Sequence, residues 1–294
     1  MRRLALLLLT LLAASGCAAA RGGEGAKAVP VARTAPSAPD ADSVTIALWR
    51  LDESGGQRSA DAGPFQLDGI AGIDTRADFG RFRGGRTFTR TPQSFVHVRD
   101  NPVLESARGF SVEAWVLPQS HIAHELQVIA ARWNGAPNEQ SWVLGMTGQK
   151  LLYPAVRQES PGWFRDVVTG VPTGRLVFGV LPDLAAGARG FASTSTLPIG
   201  RWTHVAATLD GEVVQIYIDG RLDAQQVMVG GIRASAAPLT IGNTYDARRL
   251  TDFGGDLRLE PGAIEEQFYG FHGTIDELRL SSRARSRFES TDLR

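Results

Sequence analysis

Cysteine, lysine and net charge are all scarce in this chain. Cys17 is the only cysteine of 294 residues, Lys27 and Lys150 are the only lysines, and 31 Lys and Arg stand against 31 Asp and Glu, for a formal charge of +0. A single cysteine excludes an internal disulfide, so core packing, with or without a metal ion, must hold the fold together. Neutral charge excludes a global field that would draw nucleic acid, and the arginines are scattered among acids instead of gathered in one run. The chain has no internal repeat, no Gly-x-Ser-x-Gly elbow and no long segment with a 3.6-residue apolar stripe. The best helical stretch, Glu260 to Phe268, is short and has Pro and Gly near its start.

Arg2 and Arg3 precede the apolar run Leu4 to Leu12, followed by the small residues Ala13 to Gly16 and then Cys17. That order is a secretory signal, too short to cross a bilayer as a mature helix. Ala14-Ser15-Gly16-Cys17 resembles the bacterial lipobox, which implies that Cys17 becomes the lipidated first residue of the mature protein. The alternative is an ordinary signal peptide cut near Ala18 to Ala20. Lipidation would place the protein in a bacterial envelope, and Ala18 after the cysteine resembles outer-membrane sorting where such a membrane exists. Residues 18–43 are rich in Ala, Gly and Pro and read as a disordered tether. As a flexible coil it spans roughly 25–30 Å.

Beyond the tether, apolar residues recur at every second position. Val205, Ala207 and Leu209, then Val214, Ile216 and Ile218, suit strands that bury one face. Asp210-Gly211 and Asp219-Gly220 break these runs with residues that tolerate the positive φ of a hairpin turn. Further strands are predicted at Val44 to Leu51, Phe95 to Val98, Phe110 to Leu117, Leu126 to Arg132, Ser141 to Gly145, Leu151 to Arg157, Leu176 to Leu181, Leu239 to Ile241 and Thr274 to Leu280. Many short strands with Gly- and Pro-rich turns predict an all-β sandwich or barrel. One domain of residues 44–282 accommodates them, since such folds run to roughly 200–250 residues. Residues 283–294 form a polar tail.

Four segments carry a family resemblance. They are Leu48-Trp49-Arg50-Leu51-Asp52-Glu53 with Asp61 and Asp68-Gly69 behind it, Gly109-Phe110-Ser111-Val112-Glu113-Ala114-Trp115-Val116, Gly200-Arg201-Trp202-Thr203-His204-Val205 continuing to Asp219-Gly220, and Phe271-His272-Gly273-Thr274-Ile275-Asp276-Glu277-Leu278. Together they resemble the laminin-G-like domains of the concanavalin A-like lectin and glucanase superfamily. The resemblance implies a jelly roll of two curved antiparallel sheets, often with one calcium ion, that recognises carbohydrate or protein. Residues 160–196 and 245–270 exceed the compact family pattern and are where specificity is expected.

On the last strand, Thr274, Asp276, Leu278 and Leu280 share one face by the two-residue period. A carboxylate in line with buried leucines needs a cation or donors beside it. With the first and last strands adjacent, Asp276, Asp52 at the end of the first strand and loop carbonyls would form a hard-oxygen site suited to calcium, with Asp61 as a third candidate. The alternative is that Asp276 accepts backbone N–H bonds with no metal. His121 and His124 lack a third ligand and do not read as zinc-binding.

Trp49, Trp115 and Trp202 fall at motif positions and are expected in the core, whereas Trp133, Trp142 and Trp163 lie near turns or insertions. Trp133-Asn134 and Trp163 with Arg165 set an aromatic face beside polar donors, which suits the C–H faces and hydroxyls of a sugar. Tyr245, at the start of the second insertion, completes the candidate ligand contacts. Packing of the insertions is the competing role for these aromatics. The superfamily's glycosidases place two glutamates and an aspartate along one strand as Glu-x-Asp-x-x-Glu, and no such run occurs; Glu113 and Glu265-Glu266 do not form an evident acid/base pair. The expectation is a lipid-anchored, non-catalytic envelope protein that binds a glycan or an extracellular protein. A polysaccharide hydrolase or lyase of the same fold, and a structural adhesion or assembly protein, are the alternatives.

Overall fold

The computed structural model describes residues 38–105, 109–123, 125–134, 139–150, 166–183, 187–228, 230–245, 248, 250–253, 256–259 and 269–288. In chain order the first strands are β1 (Thr45–Trp49), β2 (Arg58–Ser59), β3 (Gly69–Ala71), β4 (Arg76–Phe79), β5 (Gly84–Phe88), β6 (Val96–Val98) and β7 (Gly109–Pro118). There follow β8 (Ile122–Ala123), β9 (Leu126–Trp133), β10 (Gln140–Thr147), β11 (Gln149–Lys150), β12 (Arg175–Val180), β13 (Arg189–Thr196) and β14 (Thr203–Asp210). The last are β15 (Val213–Ile218), β16 (Arg221–Val227), β17 (Leu239–Ile241), β18 (Leu250–Phe253), β19 (Asp256–Leu259) and β20 (Gly273–Ser281).

Two 8-stranded sheets result. The first runs β16-β15-β14-β7-β20-β5-β4, with β1 also paired to β20, and the second runs β13-β12-β10-β9-β17-β6-β3-β2. Their inner faces bury Trp49, Phe88, Phe110, Val112, Trp142, Phe178, Val205, Leu209, Leu278 and Leu280 in one core. Alternation is the cause. On β14, Val205, Ala207 and Leu209 enter that core while His204, Ala206 and Thr208 turn to the outer face. The all-β fold expected from the pattern, and the jelly roll implied by the family resemblance, are therefore what the chain adopts. The predicted strand Leu151 to Arg157 and the helical stretch 260–268 lie outside the described residues.

The hairpin turns differ in detail. Asp219 and Gly220 have φ of 49° and 74°, and Ile218 pairs with Arg221, so these two residues form the corner with both φ angles positive. At the other hairpin Asp210 pairs with Val213, which leaves Gly211 (φ 62°) and Glu212 at the corner, one residue later than expected.

A larger correction concerns β20. Its register against β7 slips between Asp276 and Arg279, and Glu277 at the slip has a φ of 51°. This β-bulge breaks the two-residue period, so Ile275, Leu278 and Leu280 reach the core while Asp276 stands on the outer face opposite Trp115. Asp276 does not share a face with the leucines.

The outer face of the second sheet is also apolar. Leu126, Val128, Ala131, Trp133, Val143 and Val177 form a second cluster there with Val167, Leu181 and Tyr269. Gly179 and Gly190 make room for the covering turn, because a Cβ on Gly190 would stand 2.0 Å from the Val167 carbonyl oxygen. Part of the first insertion thus packs down on the sheet.

Candidate cation and ligand sites

β1 ends at Trp49, and Leu51, with φ of 58°, turns the chain so that Asp52 reaches the hairpin between β4 and β5. Gly84 N–H donates to Asp52 Oδ1 at 3.0 Å. The same hairpin sends the N–H groups of Arg81 and Phe82 to Asp276 Oδ2, at 2.7 and 3.2 Å. Asp276 is completely buried, and its other oxygen, Oδ1, has no hydrogen-bond partner. Burial pushes this carboxyl up to about 6; the amide donors oppose the rise and the Asp52 charge adds to it.

Glu277, next to it at the bulge, is buried against Arg50, whose Nη1 stands 3.1 Å from both carboxylate oxygens. Burial pushes Glu277 up to about 7, opposed by Arg50 and reinforced by the charges of Asp276 and Asp52. Three carboxyl groups thus converge from two elements, and one buried oxygen is left unmatched. The expected adjacency of Asp52 and Asp276 is present because β1 and β20 pair directly. Among the described residues no three His, Cys, Asp or Glu side chains form a metal group by themselves. A cation here therefore needs main-chain oxygens as well.

Asp61 is spoken for elsewhere. Its Oδ1 accepts from Leu48 N–H and Gly63 N–H at 2.8 and 2.7 Å, and its Oδ2 from Leu67 N–H at 2.8 Å. It organises the loop behind β1, where three backbone N–H groups meet its two oxygens, and it is not among the charges gathered around Asp276 and Glu277.

The aromatic contacts also require correction. Trp133 is fully buried in the second apolar cluster, so its faces meet protein and not solvent. Asn134 is buried beside it and donates through its side-chain amide to Glu139. Tyr245 packs on Phe95 at 4.7 Å between ring centroids, with its hydroxyl 3.2 Å from His97 Nδ1. All three are structural residues. Trp142 belongs to the inner core as well. Trp163, Arg165, Glu265, Glu266 and Cys17 lie outside the described residues.

One buried polar network was not anticipated. On the outer face of the first sheet, Glu113 of β7 receives Arg279 Nε of β20 at 2.8 Å on Oε1 and has His204 Nε2 of β14 3.0 Å from Oε2. Burial alone would raise the Glu113 carboxyl, but His204 and Arg279 together hold it below its ordinary value. Phe288 covers the network, its ring 5.5 Å from that of His204 and 4.8 Å from that of Tyr217. Glu113, His204 and Arg279 stand together on the outer face, and their meeting depends on the β7–β14 and β7–β20 registers. A polar trio enclosed this way builds structure and is closed to a substrate.

A family profile of laminin-G type, described as concanavalin A-like lectin/glucanases superfamily, matches residues 90–289. No curated protein sequence matches the chain. Among solved structures, domain 4 of AbnA, a GH43 extracellular arabinanase from Geobacillus stearothermophilus in complex with arabinotriose, superposes with a TM-score of 0.50 at 17% identity, covering 82% of this chain and 93% of that one. The binding domain of Paraclostridial Mosquitocidal Protein 1 gives 0.52 at 13% identity, and the botulinum neurotoxin type G receptor binding domain 0.51 at 15%. This chain covers 82% and 83% of its own length in those two pairings but spans only 49% of each toxin domain. At such identities the likeness is one of fold. The profile covers most of the chain, so this protein belongs to the laminin-G-like family of the concanavalin A-like lectin/glucanase superfamily.

Proposed function

We propose that this protein is a non-catalytic carbohydrate-binding module held at a bacterial envelope through a lipid on Cys17. The observation that carries the proposal is the match to the arabinanase domain, whose structure holds arabinotriose and which this chain covers over 93% of that domain's length. A botulinum neurotoxin DC binding domain in complex with SialylT, at a TM-score of 0.50 and 12% identity, adds a second sugar-bound structure of similar fold.

The sugar is bound at the rim and not on a sheet face. Val167, Leu181 and Tyr269 cover Trp133, Val143 and Val177 on the outer face of the second sheet, and Phe288 covers His204 and Tyr217 on the first. Trp163 and Arg165 of the first insertion, an aromatic platform next to a forked donor, are the contacts proposed for the glycan. Calcium at Asp276 and Asp52 steadies the loops beside β1. The unmatched Asp276 Oδ1 and the neighbouring Asp52 carboxylate are donors of the hard type calcium takes, completed by main-chain carbonyls.

A glycan array probed with the full chain, in calcium and in chelator, tests these assignments. Retention of one glycan class in calcium, lost in Trp163→Ala and Arg165→Ala but not in Thr194→Ala, is expected. Absence of any glycan signal in both buffers would refute sugar binding, and release of new reducing ends from a bound polysaccharide would replace a binding role with a hydrolytic one.

A further inference from the structure

The β4–β5 hairpin, residues 76–88, has surface chemistry that neither the core nor the carboxylate site explains. Phe79 is 88% exposed, the barest large apolar side chain among the described residues. It sits at the outermost strand of the first sheet, paired with Gly84, which has no side chain to cover it. Exposed Arg76, three positions earlier on β4, and exposed Arg83, next to its strand partner Gly84, make no ion pair among the described residues. Arg81 lies over the rings of Phe82 and Trp115, at 5.5 and 5.0 Å. The one exposed acid of the tip, Asp78, is engaged by Thr87 Oγ1 at 2.8 Å and by the Phe79 N–H at 2.8 Å.

The hairpin is rigid where it matters. Its backbone is held by Asp276 and Asp52 through the amides of Arg81, Phe82 and Gly84, and Phe82 meets Trp115 edge-on at 5.8 Å. A bare aromatic on the same hairpin edge as two exposed arginines, in a chain of zero net charge, is a local cationic and apolar feature against a neutral background.

Its position relative to the incoming chain gives it a partner. Asp40, among the first described residues, is bound by Arg50 Nη2 at 2.9 Å, and the same guanidinium holds Glu277, next in sequence to the hairpin-binding Asp276. The segment that leads in from the N-terminus therefore joins the fold beside this hairpin.

We infer that the β4–β5 hairpin docks on an anionic phospholipid surface, with Phe79 entering the headgroup region and Arg76 and Arg83 meeting phosphates. Charge complementarity favours phospholipid phosphate, and a basic, apolar contact of this kind adds to the hold of any lipid anchor. The inference takes from the lipid anchor proposed above only the nearness of a bilayer; the contact itself acts without acylation. It also turns the opposite edge of the sheet, at β16, away from the membrane.

The test uses the full chain carrying Cys17→Ser, so that no acyl chain contributes. A polarity-sensitive fluorophore is placed at Phe79→Cys or, for comparison, at Leu222→Cys in β16. Phosphatidylglycerol/phosphatidylethanolamine vesicles with brominated acyl chains should quench the probe at 79 and leave that at 222 unchanged. Phosphatidylcholine vesicles should quench neither. With Phe79 retained, Arg76→Gln with Arg83→Gln should lower vesicle partition about 25-fold, from about five-fold for each arginine, and Phe79→Ala roughly ten-fold. Exposed positions such as these leave folding intact. Equal quenching at both probes, or partition unmoved by the three substitutions, would overturn the inference. So would a probe at 79 that responds to a polyanionic polysaccharide but not to vesicles. Absence of acyl mass on the wild-type protein would remove the Cys17 anchor and leave this result standing.

Discussion

Asp276→Asn is the most informative single change, because it separates charge from shape at the buried carboxylate. The rise of Asp276 from its ordinary 3.8 to about 6 is equivalent to about 3 kcal/mol between the protonation states. A carboxyl raised in the folded state binds its proton more tightly there than in the unfolded chain. Its contribution is therefore complete below about pH 4, the unfolded value, and is lost as pH climbs through about 6. In chelator, the wild type should lose roughly 6–12 °C of melting temperature from this group between pH 4.5 and pH 8. Glu277, raised to about 7, extends the slope upward with the same sign. Asp42 and Glu113, both held below their ordinary values, act with the opposite sign and only below this window.

The side-chain amide introduced by Asp276→Asn does not ionise, and its carbonyl can still accept from Arg81 and Phe82 while its NH2 group donates toward Asp52. The variant should therefore melt higher than wild type in chelator at pH 8, with a pH slope reduced to what Glu277 contributes. Calcium should reverse the order. At a hundred-fold excess over its dissociation constant the ion stabilises wild type by about 2.7 kcal/mol and the variant hardly at all. Differential scanning calorimetry across pH, with and without calcium, reads both effects. A wild-type profile flat from pH 4.5 to 8, or a variant less stable under every condition, would refute the unmatched-charge account and leave Asp276 as a simple acceptor of amide hydrogen bonds.

Three other outcomes follow from the packing. Trp133→Ala should cost about 3–5 kcal/mol in denaturant unfolding, in keeping with a core side chain, and a glycan-specific loss without destabilisation would contradict its burial. Gly190→Ala should cost about 1–3 kcal/mol and raise amide exchange over residues 166–171, because the added methyl meets the Val167 carbonyl; unchanged exchange there would argue against that contact. Arg132 is buried and donates to Leu104 and Ala237 carbonyls, Glu105 and Asp100 at 2.6–3.3 Å, so Arg132→Met should cost about 3–5 kcal/mol, read from the shift in urea midpoint at constant slope.

The candidate site was legible only in part. Asp52 and Asp276 could be brought together from sequence because a jelly roll sets its first strand against its last, as β1 and β20 are set. Trp133 and Tyr245 could not be placed, since an aromatic near a turn has the same local sequence whether it faces solvent or an insertion. The insertion itself, packed through Val167 onto Val143 and Val177, made that choice. The Glu113–His204–Arg279 network draws on three strands far apart in sequence, and no local pattern announces such a meeting.

By itself the sequence determined many of the core strands, the inward faces of β14 and β15 and the Asp219-Gly220 corner, because alternation and turn chemistry act between residues a few positions apart. Tertiary structure alone decided the bulge at Glu277, the phase of Asp276 and the exposure of Phe79. Those depend on which strand lies alongside, and pairing across hundreds of residues is set by the packing of the whole sandwich and not by any neighbour in the chain.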